Sequence, residues 1–262
     1  MGERDLLTNH VSGKTHIFHC AGQVGRLISM NDPVYDLEVN GIGMLNLLEA
    51  VRNKSPEAKV IYTGSRGQVG ESEYLPVDEK HSDKPTDNYG ISKLVAEKYL
   101  LLYNKVYGIH TVSLRLNNAY GPRCQMKHGH YGVLNLFIRK AMFGEEISVF
   151  GDGSQTRDYV YIDDIVNAII LSAVKDKARG EIFYVGSGKE TKFLDMVNSV
   201  IEEVGSGTFI HCPFPDDLAK IDIKRFYVSC KKLENHLGWK NQTNLKDGIN
   251  KTVSFYKKRL QE

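Results

Sequence analysis

A tyrosine and a lysine one helical turn apart, set between two apolar strands, limit what this chain can fold into more than any other feature. Tyr89 and Lys93 open a helical run that continues through leucines and tyrosines to Tyr103. Residues four apart lie on one face of a helix, so the ammonium would stand beside the phenol. A neighbouring cation favours the phenolate and lowers a pKa that starts near ~10. The pair is therefore predicted to shuttle a proton at neutral pH.

The flanking strands distinguish this pair from Tyr227 and Lys231, which have the same spacing without them. An apolar strand at 60–63 leads to Ser65, and a second strand at 111–116 ends in two asparagines. The order strand–serine, helix–tyrosine–lysine, strand–asparagine resembles the catalytic core of the extended short-chain dehydrogenase/reductases. The alternative is an ordinary amphipathic helix with a surface lysine.

The composition excludes several classes of protein. The net charge of the 262 residues is +2 with no basic block, so neither nucleic acid nor a membrane surface is an expected partner. The sequence has no apolar window of ~18 residues and no signal peptide, which predicts a cytoplasmic protein. Four cysteines without paired spacing predict reduced thiols and no metal site. Cys124 lies in a candidate substrate loop and is either reactive or an ordinary thiol.

A glycine turn and an isolated asparagine are candidate ligand contacts in the first fifty residues. The strand predicted at 16–21 is followed by a glycine-rich turn at 22–25, which suits a backbone approaching a ligand at the carboxyl end of a parallel sheet. Asp32 and Pro33 are predicted to start a helix whose apolar stripe is interrupted by Asn40. A polar amide in such a stripe must find partners, so Asn40 either braces a loop or contacts a cofactor.

Glycines at 64, 67 and 70 have the spacing of a dinucleotide-binding fingerprint. A true fingerprint opens an amphipathic helix whose N-terminus meets a pyrophosphate. The segment that follows, 71–79, is acidic, aperiodic and broken by a proline, which predicts a loop. We therefore interpret 64–70 as the catalytic serine loop, with a phosphate-binding loop as the alternative.

The remainder of the chain alternates between strands and helices. The predicted strands are at 111–117, about 147–150 and 182–186, and the predicted helical runs are near 132–144, 163–175, 193–204 and 245–258. This alternation predicts a parallel sheet covered by helices, with a smaller appended region.

The segment 150–164 is the second informative stretch. A tight turn of glycines and aspartates precedes Arg157, and an alternating Tyr/Val segment follows it. A lone arginine is usually a surface charge, but at the start of a substrate region its guanidinium could bind a diphosphate through paired hydrogen bonds. Asp163 or Asp164 is expected to cap the next helix, from Ile165 onwards.

Together these segments, from about residue 15 to the end, resemble the nucleotide-sugar epimerase/dehydratase branch of the extended short-chain family, the group of UDP-glucose 4-epimerase. The resemblance implies an α/β fold with a Rossmann-like doubly wound parallel sheet, N-terminally truncated, and a small C-terminal α/β substrate-binding region. It divides the chain into a partial NAD-binding domain at 1–120 and a mainly nucleotide-sugar-binding region at 121–262, interleaved with the first. A homodimer through the helices at 31–53 and 88–107 is usual in this group.

The resemblance also assigns roles to individual residues. Tyr89 would transfer the proton, Lys93 would be its electrostatic partner and hold the nicotinamide ribose, and Ser65 would hydrogen-bond the sugar hydroxyl. Ala21, Gly22 and Asn40 would lie beside the NAD cofactor, and Asn118 and Arg157 would hold the nucleotide diphosphate. Arg225 occupies roughly the place of another phosphate-binding arginine, although the residues around it match the family poorly.

The reaction can be narrowed within the group. Its 4,6-dehydratases place an acidic residue just after the catalytic serine or threonine, where this chain has Arg66 and Gly67, so dehydration is disfavoured. Epimerisation needs only reversible transfer of a proton to the phenolate and of a hydride to NAD, through a keto-sugar. Members of the group usually have a tyrosine shortly after the catalytic serine, where this chain has Gln68, Val69 and Gly70. The identities of the sugar and of the nucleotide therefore stay open. A dehydratase, a reductase and a nucleotide-sugar-binding form without redox activity remain alternatives, as does NADP.

The members of this group begin with a strand, a glycine fingerprint, a helix and a second strand, roughly ~60 residues that this sequence lacks. The strand at 16–21 is then expected at an exposed sheet edge, and the pyrophosphate would lose its helix N-terminus. The sequence is a fragment, or another chain supplies the segment, or the protein is a stable short form. We expect the chain alone to bind NAD poorly and to turn over slowly or not at all.

Overall fold

The computed structural model describes residues 4–129 and 131–259, and a parallel sheet lies at its centre. The strands are β1 (His16–His19), β2 (Lys59–Ser65), β3 (Thr111–Leu116), β4 (Asn118–Tyr120), β5 (Ile147–Phe150), β6 (Thr156–Arg157), β7 (Tyr159–Tyr161), β8 (Ile182–Val185), β9 (Thr191–Lys192) and β10 (Phe209–Cys212). The α-helices are α1 (Arg4–Val11), α2 (Arg26–Asn31), α3 (Pro33–Leu37), α4 (Gly43–Lys54), α5 (Asn88–Tyr107), α6 (Val133–Met142), α7 (Ile162–Val174), α8 (Phe193–Val204), α9 (Asp216–Ala219), α10 (Lys231–Leu237) and α11 (Leu245–Arg259). A π-helical turn, Glu38–Ile42, joins α3 to α4.

The central sheet has the order β1-β2-β3-β8, and all its strands run parallel. Val60 and Tyr62 of β2 pack under α4 and α5, while Ile61 between them packs under α7 and α10 on the opposite face. Successive residues of a strand alternate between faces, so helices on both sides are needed to bury an apolar strand. The doubly wound α/β fold with a parallel sheet is therefore confirmed, and so are the predicted strands and helices of the second half.

β1 lies at the edge of this sheet within the described residues, as predicted, and Phe18 exposes half of its surface. One helix near β1, α1, was not predicted from the sequence. α1 places Leu7 and Val11 in the same apolar cluster as Met44 and Leu48 of α4. The first described helix thus extends the layer that covers β1 and β2.

A second, smaller group of elements packs beside the central sheet. β5 pairs with β10, β4 pairs with β7 in parallel, and β6 pairs with β9 antiparallel. The helices α6, α8 and α11 cover these strands around an apolar cluster that includes Phe137, Val149 and Val200. β8, which follows α7 in the chain, returns to the central sheet, so the two groups of elements interleave along the sequence.

The start of α3 matches the sequence analysis, but the start of α7 does not. Asp32 caps α3, because its Oδ1 atom accepts a hydrogen bond from the Tyr35 backbone at 3.0 Å. α7 begins at Ile162, its N-cap is Tyr161, and no side chain caps it. The expectation that Asp163 or Asp164 caps this helix from Ile165 was therefore wrong. The buried Asp164 carboxylate instead accepts hydrogen bonds from backbone amides at 242 and 243, at 3.1 and 3.0 Å, and secures the segment before α11.

Close chain packing requires the glycines at 64 and 70, but a Cβ atom at Gly67 would make only ordinary contacts at 3.5 Å. β2 ends at Ser65, a single 3-10 turn (Arg66–Gln68) follows, and the chain then runs as a loop to Asp87. A Cβ atom at Gly70, whose φ is +77°, would lie 1.7 Å from the Lys84 carbonyl oxygen. This segment opens no α-helix, so the prediction of a loop rather than a dinucleotide fingerprint is confirmed.

Candidate active site

The hydroxyls of Ser65 and Tyr89 meet where β2 ends and α5 begins. Ser65 is fixed by its own turn, because its Oγ accepts a hydrogen bond from Gly67 at 3.1 Å and its amide donates to Gln68 Oε1 at 2.7 Å. The side chain of Tyr89 lies beside that of Ser65: burial raises the pKa of the phenol, and Ser65 opposes this increase as a neighbouring hydrogen-bonding group does. The Tyr89 ring lies against Gly67, where a built Cβ would be 3.5 Å from the ring carbons Cδ1 and Cε1. The structure thus brings together the serine and tyrosine that the sequence indicated.

The start of α5 is anchored so that Tyr89 keeps this direction. Asp87 is the N-cap of α5 and accepts a hydrogen bond from the Gly90 amide at 2.7 Å. The amide of Tyr89 donates to Ser29 Oγ at 3.0 Å. A Cβ atom at Gly90 would lie 2.3 Å from the Gly67 carbonyl oxygen, so only glycine lets the helix approach the serine loop this closely.

The predicted effect of Lys93 on Tyr89 is not observed. The Lys93 ammonium donates to the Thr63 carbonyl at 2.8 Å and lies 4.4 Å from the centroid of the Tyr62 ring. Burial raises the pKa of Tyr89 above its ordinary value, and Ser65 and the nearby Arg66 cation only partly offset it. The expectation of a lowered pKa was therefore wrong for this geometry, because desolvation of the phenolate outweighs the nearby positive charge.

Lys93 is itself strongly affected by its surroundings. Its side chain is buried, and desolvation lowers the pKa of Lys93 to about 8 although Cys20 and two carboxylates oppose the change. The same environment acts on His19, whose ring is stacked on Tyr62 with centroids 5.9 Å apart. Burial and the Lys93 charge lower the pKa of His19 to about 4. The end of β1 is therefore a dry region in which added positive charge is disfavoured.

Asn40 braces the turn that follows β1. Its Oδ1 accepts a hydrogen bond from the Gln23 amide at 3.1 Å, and its Nδ2 donates to Ser92 Oγ at 3.0 Å and to Asp36 Oδ1 at 3.2 Å. A Cβ atom at Gly22 would lie 2.8 Å from Asn40 Oδ1 and 3.8 Å from the Lys93 ammonium. Of the two alternatives for Asn40, the structure shows the loop brace, and it places Gly22 beside Lys93.

The sequence analysis missed the carboxylate at the centre of this brace. Asp36 is fully buried and accepts hydrogen bonds from Gln23 Nε2 at 2.8 Å and from Ser92 Oγ. Burial raises the pKa of Asp36, while those hydrogen bonds oppose the increase. Its position four residues before Asn40, on the same helix face, is the signal that would have identified it. Ala21, by contrast, is exposed at the start of the turn.

A group of arginines lies at the other end of the site. Arg157 is buried, and its guanidinium contacts Asp222 Oδ1 at 2.6 Å and the Ile223 carbonyl at 2.6 Å. Arg26 forms an ion pair with Asp87. Arg66 stands near both arginines, and together with burial they lower the pKa of Arg66 to about 9. The sequence identified Arg157 but assigned no ligand to Arg26 or Arg66.

The remaining predicted phosphate contacts are separated in the structure. The Oδ1 atom of Asn118, at the start of β4, is buried and has no hydrogen-bond partner in the described part of the chain. Arg225 is exposed and bonds both oxygens of Glu190, at 2.8 and 2.9 Å. Arg225 also lines a cavity of about 410 Å³ together with Asp222, the ion-pair partner of Arg157. Arg225 therefore lines this cavity directly, whereas Arg157 is connected to it through Asp222.

That cavity has the features of a site for an aromatic ring with a charged tail. Phe150 and Phe214 line it with ring centroids 5.7 Å apart, and Lys224 contributes a cation. A second cavity of about 470 Å³ lies between the segments 71–75 and 223–227 and contains no catalytic candidate.

The cysteines show no metal or disulfide chemistry. All four are free thiols, and no group of three metal-binding side chains occurs among residues 4–129 and 131–259. Burial raises the pKa of the Cys124 thiol, which disfavours the reactive thiolate. Among the described helices, none has the length and hydropathy that crossing a bilayer requires.

A parallel doubly wound sheet with a serine at the carboxyl end of β2, and a tyrosine and a lysine one turn apart at the start of α5, is typical of a protein of the short-chain dehydrogenase/reductase type. The chain belongs to the NAD dependent epimerase/dehydratase family, whose profile matches residues 3–186.

The similarity extends to characterised members of the family. The chain is 38% identical over 243 residues to a putative UDP-glucose 4-epimerase of Methanocaldococcus jannaschii, covering 92% of this chain and 76% of the relative. The solved structure of UDP-glucose 4-epimerase from Thermotoga maritima with UDP-glucose has a TM-score of 0.91 and 30% identity, covering 98% of this chain and 82% of that one. The Thermus thermophilus UDP-glucose 4-epimerase in complex with NAD has a TM-score of 0.88 and 30% identity, covering 97% and 82%.

Proposed function

We propose that the chain is an NAD-dependent epimerase that acts on a nucleotide-diphosphate sugar through a transient keto-sugar. The observation that carries the proposal is the contact between the Ser65 and Tyr89 side chains at the carboxyl end of β2, with Lys93 one turn further along α5. Two further observations support it. The M. jannaschii relative is named a putative UDP-glucose 4-epimerase, and the T. maritima structure is that of a UDP-glucose 4-epimerase with UDP-glucose.

The residues at the end of β1 fit the nicotinamide end of an NAD molecule. Gly22 packs closely on Asn40, because a Cβ atom there would lie 2.8 Å from Asn40 Oδ1, and Ala21 is exposed next to it. We assign Ala21, Gly22, Tyr89 and Lys93 to contacts with this cofactor, and we assign Asn40 to the same site as the brace that holds the turn beside it. NAD would supply the acceptor for the hydride removed from the sugar carbon.

The protein's own part in the reaction is to hold the sugar and move one proton. Tyr89, with its raised pKa, keeps its proton at neutral pH and can give it to the oxygen of the keto-sugar. Removal of a proton from the sugar hydroxyl requires a stronger cationic influence on the phenol. We propose that the Lys93 ammonium lowers the pKa of Tyr89 once its hydrogen bond to the Thr63 carbonyl is broken. Ser65 would hold the reacting hydroxyl of the sugar.

The nucleotide diphosphate would occupy the other end of the site. Arg157 and Asn118 are the proposed contacts, and the cavity beside Arg225 would take the nucleotide base against the aromatic pair Phe150 and Phe214. Hydrogen-bonded guanidinium groups suit a diphosphate because their paired donors match its oxygens. Elimination of water is not part of the proposal, because the residue after Ser65 is a cation rather than an acid.

The proposal includes a cytoplasmic homodimer formed through α3, α4 and α5. The outer surfaces of α3, of the π-helical turn that leads into α4, and of α5 expose large apolar side chains, namely Val34, Tyr35, Leu37, Ile42, Ile91, Leu102, Val106 and Tyr107. Exposed apolar side chains on neighbouring elements are typical of an interaction site. Sedimentation analysis of Leu102→Asp tests it: the variant should be monomeric, while Val174→Asp, at an exposed valine of α7, should sediment like the unmodified protein.

Product analysis tests the reaction. The purified protein is incubated with NAD and one nucleotide sugar at a time, for several nucleotide sugars, and the products are followed by proton nuclear magnetic resonance. We expect interconversion of two epimers with no loss of water. A 4-keto-6-deoxy product would identify a dehydratase instead, and the absence of any epimer from the whole series would refute the proposed function.

A further inference from the structure

Arg26 joins two parts of the molecule that are distant in sequence. It is the first residue of α2, directly after the glycine turn that follows β1. Its Nε donates to Asp87 Oδ2, and its Nη2 donates to the Ile221 carbonyl oxygen. These partners lie 61 and 195 residues away along the chain. The planar fork of donors on one guanidinium thus spans the start of α5 and the segment after α9.

The first partner of Arg26 holds the start of the catalytic helix. The Asp87 side chain is only 2% exposed, and its Oδ1 accepts a hydrogen bond from the Gly90 amide at 2.7 Å. Arg26 bonds the other oxygen, so both oxygens of the helix cap are engaged and the carboxylate cannot rotate freely. Tyr89 lies between the two ends of this cap. Loss of the Arg26 bond should therefore loosen the turn that carries Tyr89.

The second partner of Arg26 belongs to a wall of the proposed nucleotide cavity. Ala219 and Asp222, on either side of Ile221, line the cavity of about 410 Å³. None of the four described residues of α9 is buried, so this wall has little packing of its own. Two arginines hold it instead. Arg157 bonds Asp222 Oδ1 at 2.6 Å, and Arg26 bonds the Ile221 carbonyl.

A neighbouring hydroxyl offers a second and weaker link between the wall and α5. The Thr86 hydroxyl reaches the Ile221 carbonyl at 3.5 Å, which is the limit of a hydrogen bond. The Arg26 side chain is charged and only 25% exposed. A charge-assisted hydrogen bond of this kind is stronger than one from a neutral hydroxyl. Arg26 therefore makes the stronger of the two links.

We propose that Arg26 is a positioning residue that couples occupancy of the nucleotide cavity to the order of the first turn of α5, so that Tyr89 is aligned when the nucleotide is bound. This inference rests on the proposed function, because it takes that cavity as the nucleotide site and Tyr89 as the reacting group. A nucleotide that contacts the wall favours the arrangement in which the Ile221 carbonyl meets Arg26. Because Arg26 also bonds Asp87 in that arrangement, the ligand stabilises the start of α5 without touching it.

Hydrogen–deuterium exchange measured by mass spectrometry, with and without UDP, tests the inference and requires neither NAD nor turnover. In the unmodified protein, UDP should slow exchange at least about threefold in the segment 214–224 and in the segment 88–95. In Arg26→Gln, UDP should still slow exchange in the segment 214–224 but change that of the segment 88–95 by less than about 1.5-fold. Arg26→Lys should retain at most part of the coupling, because its ammonium is a single point donor.

Two control variants separate this link from its surroundings. Thr86→Val removes the weaker bond to the same Ile221 carbonyl and should keep the UDP-dependent slowing in both segments. Arg139→Gln breaks an ion pair with Glu145 on α6 and should also keep it. Thermal unfolding should show that each variant is folded, and Arg26→Lys supplies the same comparison if Arg26→Gln does not fold.

The possible results distinguish the inference from the proposed function. Slowing of the segment 88–95 by UDP to the same extent in Arg26→Gln and in the unmodified protein would overturn the inference. So would loss of that slowing in Thr86→Val, or its absence from the unmodified protein while the segment 214–224 responds. A lack of response in the segment 214–224 of the unmodified protein would instead refute the proposed nucleotide site, and the inference with it.

Discussion

The turn after β1, beside the reacting groups, and the phosphate end of the candidate site differ in how completely their polar groups are satisfied. Around Asn40, Asp36 and Ser92 the buried polar side chains hydrogen-bond to one another and hold the turn after β1. At the phosphate end, Arg66 and Asn118 each have a buried polar atom without a partner in the described residues. An unpaired buried polar group costs free energy. This contrast therefore indicates that the chemical end, the region of Asn40, Ser92 and Tyr89, is prearranged, whereas the receptive end, the region of Arg66 and Asn118, is suited to bind an anionic ligand.

The largest expected effect concerns the chemical end. Tyr89→Phe removes the proton donor but keeps the ring against Gly67, so turnover should fall about 10²–10⁴-fold while nucleotide-sugar affinity is retained. Tyr227→Phe is the control, since Tyr227 also precedes a lysine by four residues. The measurement is the initial rate of epimer formation together with calorimetric affinity. Turnover in Tyr89→Phe equal to that of the control would remove Tyr89 from its proposed role.

The receptive end is tested by comparing two arginines. Arg157→Ala should weaken UDP binding about 10- to 100-fold, because it removes a charge-assisted donor and leaves Asp222 without its ion-pair partner. Arg225→Ala should weaken binding less than about fivefold, because Arg225 is exposed and its pair with Glu190 is screened by water. Calorimetric titration with UDP measures both. Equal losses would contradict the distinction between a buried and a peripheral contact.

The dry character of the chemical end predicts a pH-dependent stability. The pKa of His19 is lowered to about 4, so the unfolded chain binds more protons than the folded one between about pH 4 and pH 6.5. Stability should therefore fall as the pH falls through this window, with about 2 kcal/mol lost through His19 between pH 7 and pH 5. Urea unfolding should show a smaller loss in His19→Gln. A control, His211→Gln at an exposed histidine, should behave like the unmodified protein.

The smallest expected effect concerns the bracing network itself. Ser92→Ala removes the hydroxyl that bonds Asp36 and Asn40, which should lower the free energy of unfolding by about 1–2 kcal/mol. Ser199→Ala, which removes only an exposed bond to the Asp195 carbonyl, should change it by less than about 0.5 kcal/mol. Urea unfolding at pH 7 measures both. Similar values for the two variants would mean that the network does not stabilise the turn.

Much of the fold followed from local sequence patterns. The strand ending at Ser65, the loop after Gly70 and the helix that opens at Tyr89 were all predicted, because they depend on periodicity and turn residues within short windows. The meeting of Ser65 with Tyr89 also follows from such patterns, since both lie at the same edge of a parallel sheet. The helix α1 was missed because its burial depends on α4, which is distant in sequence.

The sequence by itself thus determined the order of strands and helices and the residue types placed at the carboxyl edge of the sheet. Only the tertiary structure decided the state of those residues: the raised pKa of Tyr89, the bond from Lys93 to Thr63 and the unpaired guanidinium of Arg66. The physical reason is the separation along the chain over which each interaction acts. Helix and strand periodicity reflects neighbours a few residues apart, whereas desolvation and ion pairing depend on which distant segments are packed around a group.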